Sequence, residues 1–249
     1  MTASSEQFSR GAGAYAAYRP AYPAALCDFL AAAVSRAGRA WDCACGSGQA
    51  ARGLVARFDR VVATDASRRQ VAHAVSHPRI DYCVAAAERA PLAPASVDLV
   101  AVAQALHWLD PVQFYREIRR VLRPGGVIAA WTYALPVIDP AVDAVVRRLH
   151  GEVLAECWPP PRRHVDSAYR DLPFPFERLD APQPAMIARW SLDRLLGYLG
   201  TWSAVQRYRA THGRDPIAVV ADGLAAAWGE PGAPKTVRWP LRVLAGRVD

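Results

Sequence analysis

The sequence predicts a doubly wound α/β fold, a mostly parallel sheet covered by helices on both faces. Three observations predict it. Short apolar runs alternate with helical periods from residue 40 to residue 133, a glycine-containing turn (Gly46-Ser47-Gly48) follows the first run, and an acidic residue, Asp65, closes the second. A strand buried on both faces carries apolar side chains on both, so it reads as a continuous run, as Val97 to Ala103 does.

The strand candidates in order are Ala40 to Ala44, Arg60 to Thr64, Ile80 to Ala85, Val97 to Ala103 and Val127 to Tyr133. Helices are predicted between them at Gln49 to Phe58, Ser67 to Val75 and Val112 to Leu122. The last should stop at Pro124-Gly125-Gly126, since proline cannot continue a helix and glycine favours its end. Beyond Tyr133 the alternation fails. A helix-like stretch from Pro140 to His150 leads into a proline-rich, aromatic segment, Trp158-Pro159-Pro160-Pro161 through Phe174-Pro175-Phe176, which reads as an inserted lid. Helical segments at Leu192 to Leu199, Ser203 to His212 and Pro216 to Trp228 precede a last apolar strand from Thr236 to Ala245. The expected organisation is one domain over 1–249: an N-terminal helical segment (1–35), a sheet core (36–135), a lid (136–215), and a last helix and strand completing the sheet (216–249).

At 249 residues and 52% hydrophobic, the chain can bury a substantial core. No stretch shows the charge-then-apolar order of a secretory signal or the length of a membrane span, so a cytoplasmic protein is expected, as monomer or homodimer. The five cysteines, Cys27, Cys43, Cys45, Cys83 and Cys157, are odd in number and scattered, which suits buried thiols better than a disulfide framework; no metal site is expected. The net charge of +7 comes from arginines spread singly or as doublets, so nucleic acid is not the expected partner. Lys235, the only lysine, lies in Pro-Gly-Ala-Pro-Lys-Thr, which excludes enzymes whose motifs need a lysine in a phosphate loop or a Tyr-x-x-x-Lys pair.

The chemistry concentrates where the first strand ends, because ligands of open α/β sheets bind beyond the carboxyl ends of the strands. Gly46 and Gly48 would let the backbone pass close to a ligand, and Asp65 is placed to accept from both hydroxyls of a ribose, so the pair suggests an adenosine-containing cofactor. Gly46-Ser47-Gly48-Gln49-Ala50-Ala51 also matches the pattern of nicotinamide-binding sheets. Asp42 decides between them: a carboxylate would repel a pyrophosphate but attract a sulfonium cofactor bearing an α-amino group, directly or through water. The competing role for Asp42 is to cap a turn or helix.

These residues resemble the class I S-adenosylmethionine-dependent methyltransferases, and more narrowly the methyltransferase type 11 branch related to trans-aconitate methyltransferase. The resemblance runs along the chain: Phe8 with Tyr18-Arg19-Pro20-x-Tyr22-Pro23, Asp42 to Gln49, Thr64-Asp65-Ala66-Ser67, Ala87-Glu88 before Pro91-Leu92, Val97-Asp98-Leu99-Val100, Gln104-Ala105-Leu106-His107-Trp108, and Leu122-Arg123-Pro124-Gly125-Gly126. It implies a Rossmann-like sheet of about seven strands binding S-adenosylmethionine. Asp42, Ala44, Gly46 and Gly48 would surround the methionine part, Asp65 and Ala66 the ribose, and Ala87 and Glu88 the adenine, with Gln104 at the methyl-donor pocket. Tyr18 and Arg19 would fold over the cofactor carboxylate, for which the planar fork of arginine is suited. Ala44 replaces the usual first glycine of the loop, and Ala86 stands where many relatives carry an acid.

Methyl transfer from a sulfonium is an in-line displacement with a neutral leaving group, so alignment and exclusion of water can supply most of the catalysis. A carboxylate, thiolate or unprotonated amine attacks directly; a phenol, amide nitrogen or carbon wants a base. His107 is the candidate base, with a simple hydrogen-bonding role as its alternative. Trp108, Tyr133, Trp158, Arg163, Tyr169 and Trp202 are the candidate acceptor-binding residues, with Trp108 and Trp158 able instead to serve as core. The expected substrate is a small-molecule methyl acceptor: a carboxylic acid by resemblance, or a thiol or nitrogen heterocycle. The other readings are nucleic-acid methylation, which the absence of Asn/Asp-Pro-Pro-Tyr after the fourth strand opposes, a cofactor-binding module without catalysis, and a nicotinamide oxidoreductase.

Overall fold

The structure is a computed structural model that describes residues 18–248. Phe8 and most of the first half of the 1–35 segment lie outside the described residues. A seven-stranded sheet forms the centre, its strands lying side by side in the order Ile80–Val84, Arg60–Asp65, Arg39–Cys43, Val97–Ala103, Leu122–Thr132, Arg242–Arg247 and Glu177–Leu179. Its first five strands are β1 (Arg39–Cys43), β2 (Arg60–Asp65), β3 (Ile80–Val84), β4 (Val97–Ala103) and β5 (Leu122–Thr132). They run parallel, with β4 beside β1, so the strand order reverses at β1 and opens a crevice at its carboxyl end.

Side chains of a strand point alternately to opposite faces, and the apolar residues here divide accordingly into two cores. Leu99, Ala101, Val127, Ala129 and Trp131 join one cluster with Leu26 and Leu30 of α1 (Ala24–Ala33) and Leu54 of α2 (Gln49–Leu54). Val100, Val102, Ile128 and Ala130 join the other, with Phe114 and Ile118. The helix α3 (Arg68–Ala72) starts at Ser67, whose hydroxyl accepts from Gln70 N. The longer α4 (Pro111–Val121) starts at Asp110, whose carboxylate accepts from Val112 N and Gln113 N, with proline at the first turn where its missing N–H costs nothing.

Two expectations need correction. The fifth strand begins before Val127: the helix stops at Val121, ahead of Pro124-Gly125-Gly126, and β5 begins at Leu122, paired with Val97, with a register shift before Leu99 pairs with Val127. The Pro-Gly-Gly step is thus an irregular stretch inside the strand, with Gly125 at φ +73°. The final apolar run is also two strands. β8 (Lys235–Pro240) pairs with β7 (Ala185–Trp190) in a separate two-stranded sheet, and β9 (Arg242–Arg247) runs antiparallel to β5. A short strand, β6 (Glu177–Leu179), lies within 136–215 yet hydrogen-bonds to β9 at the edge of the central sheet.

The remainder of the C-terminal half is largely helical: α5 (Pro140–Arg148), α6 (Arg163–Asp166), α7 (Leu192–Gly200), α8 (Ser203–His212) and α9 (Ala221–Trp228). An aromatic cluster ties it to the small sheet. Trp239 lies 4.7 Å from Trp190 and 5.4 Å from Tyr198, ring centre to centre, and its Nε1 donates to Tyr198 Oη at 3.0 Å. Among the described residues no helix is long and apolar enough to cross a membrane, and no group of three or more His, Cys, Asp or Glu could hold a metal ion.

Candidate active site

A cavity of about 600 Å³ opens at the carboxyl ends of β1, β2 and β4. Of the sequence-predicted residues, Ala44, Gly46, Asp65, Ala66, Ala87, Glu88, Gln104 and Trp108 line it. Its wall also contains Tyr22, Cys45, Gln49, Ser67, Gln70, Val84, Ala85 and Leu109, which were not singled out from the sequence as site residues. Tyr22, Cys45, Gln49 and Ser67 do stand in the family-like motifs; Val84, Ala85 and Leu109 come from strand ends and turns and Gln70 from a short helix, with no chemical signature of their own.

Asp65 is the polar anchor of this wall. Oδ1 accepts from Ser67 N at 2.7 Å and Oδ2 from Gly46 N at 2.9 Å, so both oxygens are fixed while each keeps a second lone pair. Burial raises its pKa, and those two N–H groups oppose the rise. The first glycine position of the loop, Ala44, sits at φ +54°, in the left-handed region where glycine would be unstrained. Gln104, also left-handed at φ +56°, is clamped to β5: Oε1 accepts from Thr132 Oγ1 at 2.6 Å and Tyr133 N at 2.9 Å, while Nε2 donates to Tyr133 O at 2.8 Å.

Asp42 and Gly48 shape the loop from behind rather than from the wall. Asp42 is fully buried, and its Oδ2 accepts from Ala51 N at 2.8 Å, capping the first turn of α2. Its other oxygen has no partner, and burial pushes the carboxyl up to about 7. Gly48 adopts φ +87°, and a Cβ there would lie 2.3 Å from Tyr82 Oη; the position needs glycine because Tyr82 covers it.

Tyr18, Arg19, His107, Tyr133, Trp158, Arg163, Tyr169 and Trp202 are likewise off the cavity wall. The ring of Tyr18 packs where a side chain on Gly197 would be. Arg19 donates to Tyr133 Oη at 2.9 Å and lies 4.9 Å from the Tyr198 ring. His107 follows β4 in the helical turn Leu106–Trp108, 4.9 Å from the Trp108 ring, and one hydrogen bond of 2.9 Å joins its Nδ1 to Tyr169 Oη. Burial first, then the Arg162 and His164 charges, pull His107 down to about 3. Tyr169 is buried at φ +60°, directly after Ala168 at φ +56°, a strained turn that aims its hydroxyl at His107. Trp158 and Trp202 pack against each other and His150. Arg163 is exposed; its neighbour Arg162 turns inward instead, with a side chain 17% exposed and 4.7 Å from the Trp158 ring.

A doubly wound sheet with a carboxylate-anchored cavity at its switch point defines a protein that binds an adenosine-type cofactor. Comparison with known proteins narrows this. The methyltransferase domain family matches residues 41–130. A solved structure from Anaeromyxobacter dehalogenans, assigned as a type II methyltransferase, is 52% identical with a TM-score of 0.86, the match covering 92% of this chain and 98% of that one. A Dictyostelium discoideum protein assigned as a methyltransferase is 28% identical over 90% of this chain and 86% of its own length. A malonyl-[acyl-carrier protein] O-methyltransferase of Enterobacter lignolyticus is 34% identical over 154 residues, 59% of each chain. The chain belongs to the class I S-adenosylmethionine-dependent methyltransferases.

The residues present fit that methyl donor. The wall between Ala44 and Ala105 carries many alanines that leave room for it, Asp65 has lone pairs to spare, and the buried amide nitrogen of Gln49, a wall residue, lacks a partner.

Proposed function

We propose that the protein methylates a small molecule, with the ribose of S-adenosylmethionine held by Asp65, its adenine lying along Val84 to Glu88, and its methionine part along Ala44 to Gln49 beside Tyr22 and Gln104. The observation that carries this reading is the Asp65 carboxylate, immobilised by Gly46 N and Ser67 N on the cavity wall with acceptor capacity left for two hydroxyls. When bound, the sulfonium supplies an electrophilic methyl group whose leaving thioether departs without charge.

The protein's own contribution is alignment and exclusion of water. Gln104 and Trp108 border the cavity beside His107, and the inward Arg162 approaches from the lid. A histidine held near pKa 3 is a poor proton acceptor for a weakly acidic substrate, and it stays neutral at physiological pH. This favours an acceptor that is already nucleophilic in its resting ionisation state, a carboxylate before a phenol or carbon acid. The malonyl-[acyl-carrier protein] O-methyltransferase relative and the likeness to the trans-aconitate branch support the same choice. On this reading Arg162, rather than Arg163, is the lid cation that an anionic acceptor meets.

Calorimetric titration of S-adenosylhomocysteine and NAD into the wild type and Asp65→Ala tests the donor site. Micromolar binding of S-adenosylhomocysteine alone, lost in the variant, is expected; NAD binding or no binding sinks the reading. Screening acids, thiols and heterocycles with radiolabelled donor then tests the acceptor class, and turnover of thiols or heterocycles without acids overturns the carboxylate choice.

A further inference from the structure

Gln49 is the first residue of α2 and lines the cavity, yet its amide nitrogen is buried with no hydrogen-bond partner. Its amide oxygen accepts from Ser47 Oγ at 3.5 Å, so one end of the group is engaged and the donor end is not. A buried donor without an acceptor is a standing cost that a native structure carries only for a reason. A ligand completing the pair supplies one.

The part of the cofactor that reaches Gln49 follows from the rest of the wall. Asp65 and Ser67 lie on the ribose side and Val84 to Glu88 on the adenine side, which leaves Gln49, Ala50, Cys45 and Tyr22 for the amino-acid end. That end offers two polar groups of opposite kind. An ammonium only donates and cannot satisfy an N–H; a carboxylate only accepts and can. We infer that Gln49 is a specificity residue for the donor, its Nε2 donating to the α-carboxylate of S-adenosylmethionine. This rests on the cofactor reading above and moves the carboxylate contact from Arg19, where the motif resemblance put it, to a residue on the cavity wall.

The test pairs two donors with two variants. S-adenosylmethionine and its decarboxylated form, which keeps the amine and lacks the carboxylate, are titrated calorimetrically into the wild type, Gln49→Met and Gln49→Glu. A hydrogen bond to a charged group predicts a loss of about tenfold to a hundredfold in affinity for S-adenosylmethionine in Gln49→Met, and more in Gln49→Glu. The decarboxylated donor should bind wild type and Gln49→Met alike. The unliganded Gln49→Met protein should melt no lower than the wild type, since an unpaired amide has been removed; a purely structural glutamine would lower melting temperature and both affinities together. Equal losses for the two donors, or none, overturn the assignment while leaving the cofactor site intact. Failure of the wild type to bind either donor sinks the cofactor reading and the assignment with it.

Discussion

Asp42 and Gly48 flank the same loop; Asp42 is held in a state its residue type resists, and Gly48 in one that only glycine takes without strain. An ionised Asp42 would lie fully buried without water, which is why its pKa rises from 3.8 to about 7. A folded-state value above the unfolded one means that the stabilising contribution is complete below pH 4 and lost as pH climbs through 7. Asp42→Asn keeps an acceptor for Ala51 N and carries no charge. In urea unfolding it should exceed the wild type by about 2–4 kcal/mol at pH 8 and match it near pH 4. A difference independent of pH would refute the assignment. Gly48→Ala adds a Cβ at φ +87° against Tyr82 Oη and should cost about 2–4 kcal/mol. Pairing it with Tyr82→Leu should recover the clash and leave about 1–2 kcal/mol of left-handed strain. For His107, pulled down to about 3, turnover should show no histidine inflection between pH 5 and 8. His107→Gln should change the rate without changing the shape of that profile.

Elements stand or fall on their packing, and β8 is the clearest instance. Trp239→Ala removes the centre of the Trp190–Tyr198–Trp239 cluster and should cost about 3–5 kcal/mol, with amide protection lost first across β7 and β8 by hydrogen exchange. Sequence revealed β1 and β4 because a strand buried on both faces leaves an apolar run, and β2 and β3, which are only partly buried, because they alternate with the helical segments. The β8–β9 break was hidden for a physical reason: Val237, Trp239, Leu241, Val243 and Ala245 are all buried, so the alternation of two passes straight through the change of sheet. β6 escaped because three residues at an edge, none of them buried, show no period. The site divides in the same way. Asp65 and Gln104 sit at strand ends fixed by the sheet, and Gly46 and Glu88 in the turns that follow β1 and β3, so their place on the wall was legible. The lid has no period to fix its facing, so nothing in the chain told Arg162 from Arg163, or that Tyr169 would reach His107.

Across the whole molecule, cofactor binding and folding are linked. A ligand that binds only the native state at one hundred times its dissociation constant stabilises by about 2.7 kcal/mol. S-adenosylhomocysteine should therefore raise the melting temperature in a concentration-dependent way, and Asp65→Ala should abolish that rise. The sheet order has a consequence during synthesis. β9 is made after β5 and β6 yet lies between them, pairing with both. Until it leaves the ribosome, β5 has an unpaired edge beside apolar Val127 to Trp131, and β6 has no neighbour. A nascent chain stalled before Arg242 thus presents an open template for pairing with other chains, and chaperone engagement should peak there and fall once β9 closes the gap.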